Sequence, residues 1–136
     1  MGAGEFFEDG KRFFVEGKYK ESIEAFTMAA EAGHGQTISY LSRGAAYLKL
    51  RMADEAIADF SWVIDASEDN SRAYYYRGMA YAQKGNYEKA AEDFSKALAQ
   101  KPGDGTLLFA RGAAYIEMGK LEEAGLKILL RDFQQF

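Results

Sequence analysis

The sequence predicts an all-α fold, an α-solenoid in which pairs of helices stack one after another. The first observation is a glycine that recurs at a constant interval, at Gly10, Gly44, Gly78 and Gly112. The second is that the strings at 43–47 (RGAAY), 77–81 (RGMAY) and 111–115 (RGAAY) repeat with it. A fixed period of about 34 residues is typical of stacked units that cannot bury their apolar faces alone. We therefore interpret residues 1–136 as one array, with repeats at approximately 3–36, 37–70, 71–104 and 105–136.

Each repeat is predicted to contain two helices, A and B, joined by a turn. In the third repeat Tyr74, Gly78 and Tyr81 have helical spacing and lie on one face of helix A. Gly85 then ends that helix, and Gly119 stands at the same place in the fourth repeat. The inner stripe of the third B helix comprises Tyr87, Ala90, Ala91, Phe94, Ala97 and Leu98. Four such units predict eight helices, arranged as four A/B pairs.

The recurring glycine is expected to have a packing role. It should face the small residues that stand twelve positions later, namely Ser22, Ala56, Ala90 and Ala124. Glycine inside a helix costs about 0.5–1 kcal/mol relative to alanine. Its regular recurrence therefore indicates a steric requirement at the contact between the A and B helices.

Composition and charge exclude several classes of function. Lys and Arg total 17 against 21 Asp and Glu, a net charge of -4, which argues against a nucleic-acid partner. No apolar run approaches the roughly 20 residues of a membrane-spanning helix. The first residues do not resemble a signal peptide, and the chain contains no cysteine. We expect a cytoplasmic protein without membrane insertion.

The titratable residues do not predict an enzyme. His34 is the one histidine, and it lies between two glycines, so we interpret it as a solvated turn residue. The acidic pairs Asp54-Glu55 and Glu122-Glu123 fall in the predicted first turns of B helices, where they favour the helix dipole. We expect no catalytic residue, no metal site and no cofactor.

The pattern resembles the tetratricopeptide repeat family, from about Ala3 to the C-terminus. Residues 71–104 match it most completely, whereas the second repeat has Arg51 in place of the turn glycine and Glu68 in place of the closing proline. The resemblance implies a right-handed superhelix whose A helices line a concave surface, on which partners lie as extended or helical peptides. The resemblance is highly specific for the fold, but it gives almost no information about the partner.

We predict an apolar groove on that concave surface. One step along a helix turns the side chain by about 100°, so the residue after each core position faces the groove. The predicted groove residues are Phe7, Lys11, Phe14, Leu41, Leu48, Arg72, Tyr75, Met79, Phe109 and Ile116. The alternative is that neighbouring helices bury some of them. The groove favours an adaptor or chaperone-like module whose partner is a protein or peptide with apolar anchor residues.

One subgroup of the family binds acidic C-terminal tails of chaperones through a two-carboxylate clamp. The clamp requires Lys and Asn on the first A helix, Asn on the second, and Lys and Arg on the third. The matching positions here are Phe7, Lys11, Ser42, Arg72 and Tyr76. Because only part of the positive charge remains, we expect the clamp to be absent.

The last predicted B helix supports a second hypothesis, a self-associating scaffold. Its outward column consists of Leu126, Leu129, Leu130 and Phe133, whereas earlier B helices have mixed or polar residues there. Solenoids usually end in a polar-faced cap. We therefore expect this helix to shift and to bury its stripe against a second copy, as a homodimer, or against a downstream segment. The alternative is a rotated helix that buries the stripe within its own chain.

Overall fold

The computed structural model describes the backbone of residues 2–134 and the side chains of residues 2–122. Within that part of the chain there are seven α-helices and no β-strand, which confirms the all-α prediction. The helices are α1 (Ala3–Val15), α2 (Tyr19–Glu31), α3 (Gln36–Lys49), α4 (Ala53–Ala66), α5 (Ser71–Gln83), α6 (Tyr87–Gln100) and α7 (Gly105–Gln134).

Each helix packs mainly on the helices before and after it in the chain, which is the arrangement of a solenoid. The core consists of three apolar clusters along this stack. One fully buried phenylalanine belongs to each cluster, and these are Phe26, Phe60 and Phe94. The core therefore repeats with the same period as the sequence.

The recurring glycines make room for these phenylalanine rings. A Cβ atom placed on Gly10, Gly44 or Gly78 would lie 2.5–2.6 Å from the phenylalanine ring of the next helix. Real Cβ atoms do not approach other atoms so closely, so each glycine is required by a ring and not, as expected, by the small residue twelve positions later. The small residue of the first repeat has a different role, because Ser22 Oγ donates a hydrogen bond to the Gly10 carbonyl at 3.0 Å.

The turns between A and B helices keep one backbone shape although their sequences differ. Gly85, after α5, has a φ of +80°, in the left-handed region that favours glycine. Arg51 holds the equivalent place after α3 and has a φ of +59°. The departure from the family pattern at Arg51 therefore leaves the turn intact and places a side chain where its Cβ is strained.

The fourth repeat departs from the prediction. Helix α7 continues unbroken from Gly105 to Gln134, 30 residues that span about 45 Å. The expected turn at Gly119 and the eighth helix are therefore wrong. One glycine costs a helix only about 1 kcal/mol, and the strong helix formers Lys120, Leu121 and Glu122 follow it.

Two further predictions depended on that turn. The pair Glu122-Glu123 lies inside α7 and not in the first turn of a separate helix. The side chains of Leu126, Leu129, Leu130 and Phe133 lie outside the described residues. The burial of that stripe therefore stays a prediction.

Candidate functional site

A cavity of about 260 Å³ lies between the first three A helices, α1, α3 and α5. Each of these helices contributes residues to it, and a ring from α2 lies among them. The lining residues are Lys11, Phe14, Val15, Phe26, Leu41, Ser42, Ala45, Arg72 and Tyr76. Most of this surface is apolar, and the two cations come from the first and the third A helix.

Helical spacing brings these side chains to one side of each helix. Lys11 and Phe14 are three residues apart, and Arg72 and Tyr76 are four apart, so each pair lies on a single face. The Tyr76 ring stacks on the ring of Phe60 with centroids 5.7 Å apart and an interplanar angle of 21°. The wall of the cavity is therefore continuous with the packed core of the second repeat.

The two cations differ in their surroundings. Lys11 Nζ is 2.9 Å from Glu8 Oε1, one turn earlier on the exposed surface of α1. Arg72 forms no ion pair with any residue whose side chain the structure describes. A negative group that entered the cavity would therefore meet one cation that is already ion-paired and one that makes no ion pair with a described side chain.

Four of the ten predicted groove residues line this cavity: Lys11, Phe14, Leu41 and Arg72. Tyr75 lies in an adjacent cavity of about 210 Å³, which it shares with Arg72 and Asp104. Burial raises the pKa of the Tyr75 hydroxyl, and the nearby Tyr76 and Asp104 raise it further.

Three predicted groove residues belong to the core. One of them is Leu41, which is only 4% exposed although it also borders the cavity. The other two lie outside the cavity. Phe7 is only 9% exposed, and its ring lies 5.4 Å from that of Phe26. Leu48 is half-buried against the cluster around Phe60. In both cases the neighbouring helix covers the side chain, because the contact between helices is wider than one column of residues. His34 is also half-buried and not fully solvated, since its ring lies 4.8 Å from that of Phe7.

The remaining three groove residues lie outside the cavity. Met79, Phe109 and Ile116 are exposed, at 40%, 80% and 62%, and they follow the array towards its C-terminal end. Tyr76, which lines the cavity, was absent from the predicted groove. The sequence did offer a reason to include Tyr76, because it holds one of the five positions that match the clamp.

An arginine network that the sequence reading missed links successive repeats. Arg43 donates two hydrogen bonds to Asp59, Nε to Oδ2 at 2.9 Å and Nη2 to Oδ1 at 2.7 Å. Arg77 pairs with Asp93 in the same way, at 2.8 and 2.9 Å. These hydrogen bonds raise the pKa of both arginines, and partial burial opposes the rise. The available signal was the interval between arginine and aspartate, which is the same in both repeats.

Each of these arginines also reaches back to the preceding B helix, where its Nη1 donates to a hydroxyl. The acceptors of Arg43 and Arg77 are Thr27 and Ser61, at 3.0 and 3.2 Å. Arg111 repeats this contact with Ser95 at 3.3 Å. The network therefore holds α3 and α5 each to its own B helix and to the previous repeat, and it is a structural feature.

Among the side chains that the structure describes, no group of three or more acidic or histidine residues could hold a metal ion. The described helices also include none that is long and apolar enough to cross a membrane.

The stacked helical pairs and the cavity between their A helices define a helical-repeat protein. A family model of the tetratricopeptide repeat matches residues 41–105. The second tetratricopeptide domain of Spaghetti (RPAP3) is 31% identical, with a TM-score of 0.68, over 74% of this chain and 93% of that domain. This chain belongs to the tetratricopeptide repeat family, whose members are protein-interaction modules.

Other solved structures agree with this assignment. The second tetratricopeptide domain of human RPAP3 is 28% identical, with a TM-score of 0.76, and the match covers 84% of this chain and 98% of that one. The first domain of human RPAP3 is 23% identical over 89% of this chain and 95% of that one, and its TM-score of 0.83 shows the shared fold alone. No curated protein matches the sequence.

Proposed function

We propose that this chain is a non-catalytic adaptor or chaperone-like module that binds a peptide segment of another protein in the cavity between α1, α3 and α5. The observation that carries the proposal is the convergence of three A helices on one largely apolar cavity. An apolar anchor side chain of the partner fills the cavity, and its backbone continues along the A helices. Anchors of this kind determine specificity in peptide recognition.

The comparisons support the ligand class. The second domain of Spaghetti (RPAP3) was solved with the HSP90 peptide SRMEEVD, and that of human RPAP3 with the HSP70 peptide SGPTIEEVD. Peptides are therefore ligands of two domains with this fold and with 31% and 28% identity to this chain.

The experiment fills the cavity without removing any core contact. Ala45 is half-buried on α3 and lines the cavity, so Ala45→Leu places three more carbon atoms inside it. The matched control is Ala113→Leu, because Ala113 has the same position in the fourth repeat and is exposed. Peptides are selected from a phage-displayed random library on the unmodified chain, and synthetic copies are measured by calorimetry with all three proteins.

We expect the selected peptides to share an apolar residue and to bind Ala113→Leu as they bind the unmodified chain. Ala45→Leu should lose at least about tenfold in affinity, since one blocked anchor is worth more than about 1.4 kcal/mol. Circular dichroism checks that both variants keep their helical content. A library that yields no binder, or peptides that bind Ala45→Leu with unchanged affinity, would contradict the proposal.

A further inference from the structure

In the complete repeats, the B helix covers one face of the A helix, at a glycine that is surrounded by larger side chains. In the third repeat the ring of Phe94 lies against Gly78, where an added Cβ atom would be 2.6 Å from it. The same ring lies 6.0 Å from that of Tyr75. The residues three and four positions to either side of the glycine lie on this face and are all half-buried, namely Tyr74, Tyr75, Tyr81 and Ala82.

The same face of the fourth repeat, which we call the open face, is not covered by any described residue. It is centred on Gly112, where an added Cβ atom would meet no described atom within 4 Å. The positions three and four residues to either side carry large apolar side chains that are between 45% and 80% exposed, namely Leu108, Phe109, Tyr115 and Ile116. Because α7 continues as one helix to Gln134, its later residues lie further along the axis and not over this face.

The arginine next to Gly112 lacks the carboxylate that its counterparts have. Arg43 and Arg77 use Nε and Nη2 for an aspartate of their own B helix, and Nη1 for a hydroxyl of the preceding one. Among the side chains that the structure describes, Arg111 makes only the hydroxyl contact, to Ser95. The rest of α7 starts about 18 Å further along the helix axis, too far to reach this guanidinium. Nε and Nη2 of Arg111 can therefore bind a carboxylate on a covering helix.

The two helices that cover the equivalent faces show what kind of helix fits. Both α4 and α6 contain alanine, two variable residues, aspartate and phenylalanine, at 56–60 (AIADF) and 90–94 (AAEDF). The alanine, the aspartate and the phenylalanine are buried in both helices. Each of these helices is already packed on its own A helix, so neither is available to cover the open face of a second copy.

We propose that the open face binds a helix of another protein, one that carries alanine, two further residues, aspartate and an aromatic residue. This helix lies antiparallel to α7, as α6 lies to α5. Its ring fills the hollow at Gly112, and its carboxylate accepts hydrogen bonds from Arg111. A cavity of about 350 Å³ between α6 and α7 continues the surface, since Tyr115 belongs to both. The recognition is that of an amphipathic helix on an apolar face.

The probe is a synthetic copy of α6, residues 86–100, labelled with fluorescein. An isolated helix of this length is marginal in water. A lactam therefore joins Glu92 to Lys96, which are four residues apart and exposed in the chain. Fluorescence anisotropy follows the titration of this probe with the full chain. We expect saturable binding, and an affinity lower by at least about tenfold for a probe with Phe94→Ala.

A charge exchange identifies the face that the probe occupies. Arg111→Asp should weaken binding by at least about tenfold, and a probe with Asp93→Arg should recover most of that loss. The recovery also shows that the variant is folded. Lys20→Asp makes the same change of charge at an exposed position of α2 and should leave binding unaltered. Gly112→Leu, which fills the hollow and favours the helix, should weaken binding as well.

Other occupants give different results. If the probe enters the cavity of the first three repeats, Ala45→Leu weakens its binding and Gly112→Leu does not. If a second copy covers the open face, light scattering shows a dimer of the unmodified chain that Arg111→Asp dissociates. Either result would overturn the proposal, and so would a probe that does not bind saturably or a charge exchange that recovers no affinity.

Discussion

The side chain of Arg77 lies between two repeats and is only 17% exposed, while that of Asp93 is 4% exposed. The guanidinium also lies 5.7 Å from the ring of Tyr74 and 5.9 Å from that of Tyr81. A buried carboxylate is tolerated only with a partner of this kind. Arg111 makes the equivalent aromatic contact with Tyr115 but, among the described residues, hydrogen-bonds only Ser95.

Arg77→Met should destabilise the fold by about 3 kcal/mol, because it leaves the Asp93 carboxylate buried without its partner. Arg111→Met, the control, should cost below about 1 kcal/mol, the value of a single hydrogen bond to a hydroxyl. Urea denaturation followed by circular dichroism measures both. Adding Asp93→Leu to Arg77→Met should recover most of the loss. Equal losses for the two arginine variants would show that the carboxylate is not the cause.

At the scale of the elements, the turn between α3 and α4 shows how the fold overrides a local preference. The left-handed conformation costs a residue with a Cβ roughly 1–2 kcal/mol. Arg51 adopts it because the packing of α3 on α4 requires the same short connection that Gly85 makes between α5 and α6. The shared shape of the turn is therefore a consequence of helix packing.

Arg51→Gly should be more stable than Arg51→Ala by about 1 kcal/mol, because glycine avoids the strain and loses part of that advantage to its greater freedom when unfolded. Because both variants lack the rest of the arginine side chain, the difference between them measures the effect of the Cβ atom alone. The two variants are compared by their midpoints of chemical denaturation, which report stability when the dependence of the unfolding free energy on denaturant is the same for both. Identical midpoints for the two variants would mean that the turn relaxes when the arginine is removed.

At the scale of the whole molecule, the stack separates two surfaces. The cavity lies on the first three repeats, whereas the open face lies on the fourth. Helices in such a stack contact mainly their neighbours, so a change at one end affects the other only weakly. A substitution in the cavity is therefore expected to leave the exposed face of the fourth repeat unaltered.

The peptide SRMEEVD, found on the second domain of Spaghetti (RPAP3), should bind this chain no better than a scrambled peptide of the same composition. Of the five positions that match the clamp, Phe7 is buried and offers no polar group, while Ser42 and Tyr76 replace an amide and a cation. Lys11 and Arg72 attract both peptides equally, because the two carry the same charge. Calorimetry at low and high salt measures the affinity of both peptides. Tight binding of SRMEEVD, with weak binding of the scrambled peptide, would show that a carboxylate clamp is present after all.

The sequence by itself determined the repeat, the six helices of the first three units and the glycine positions. These features depend on a period that every repeat reinforces, so local preference and packing agree. The tertiary structure decided which columns face the cavity, because the burial of Phe7 and the place of Tyr76 in the cavity wall depend on how far a neighbouring helix reaches. It also decided the course of α7. A lone glycine costs a helix only about 1 kcal/mol, so Gly119 by itself did not decide between a turn and a continuous helix.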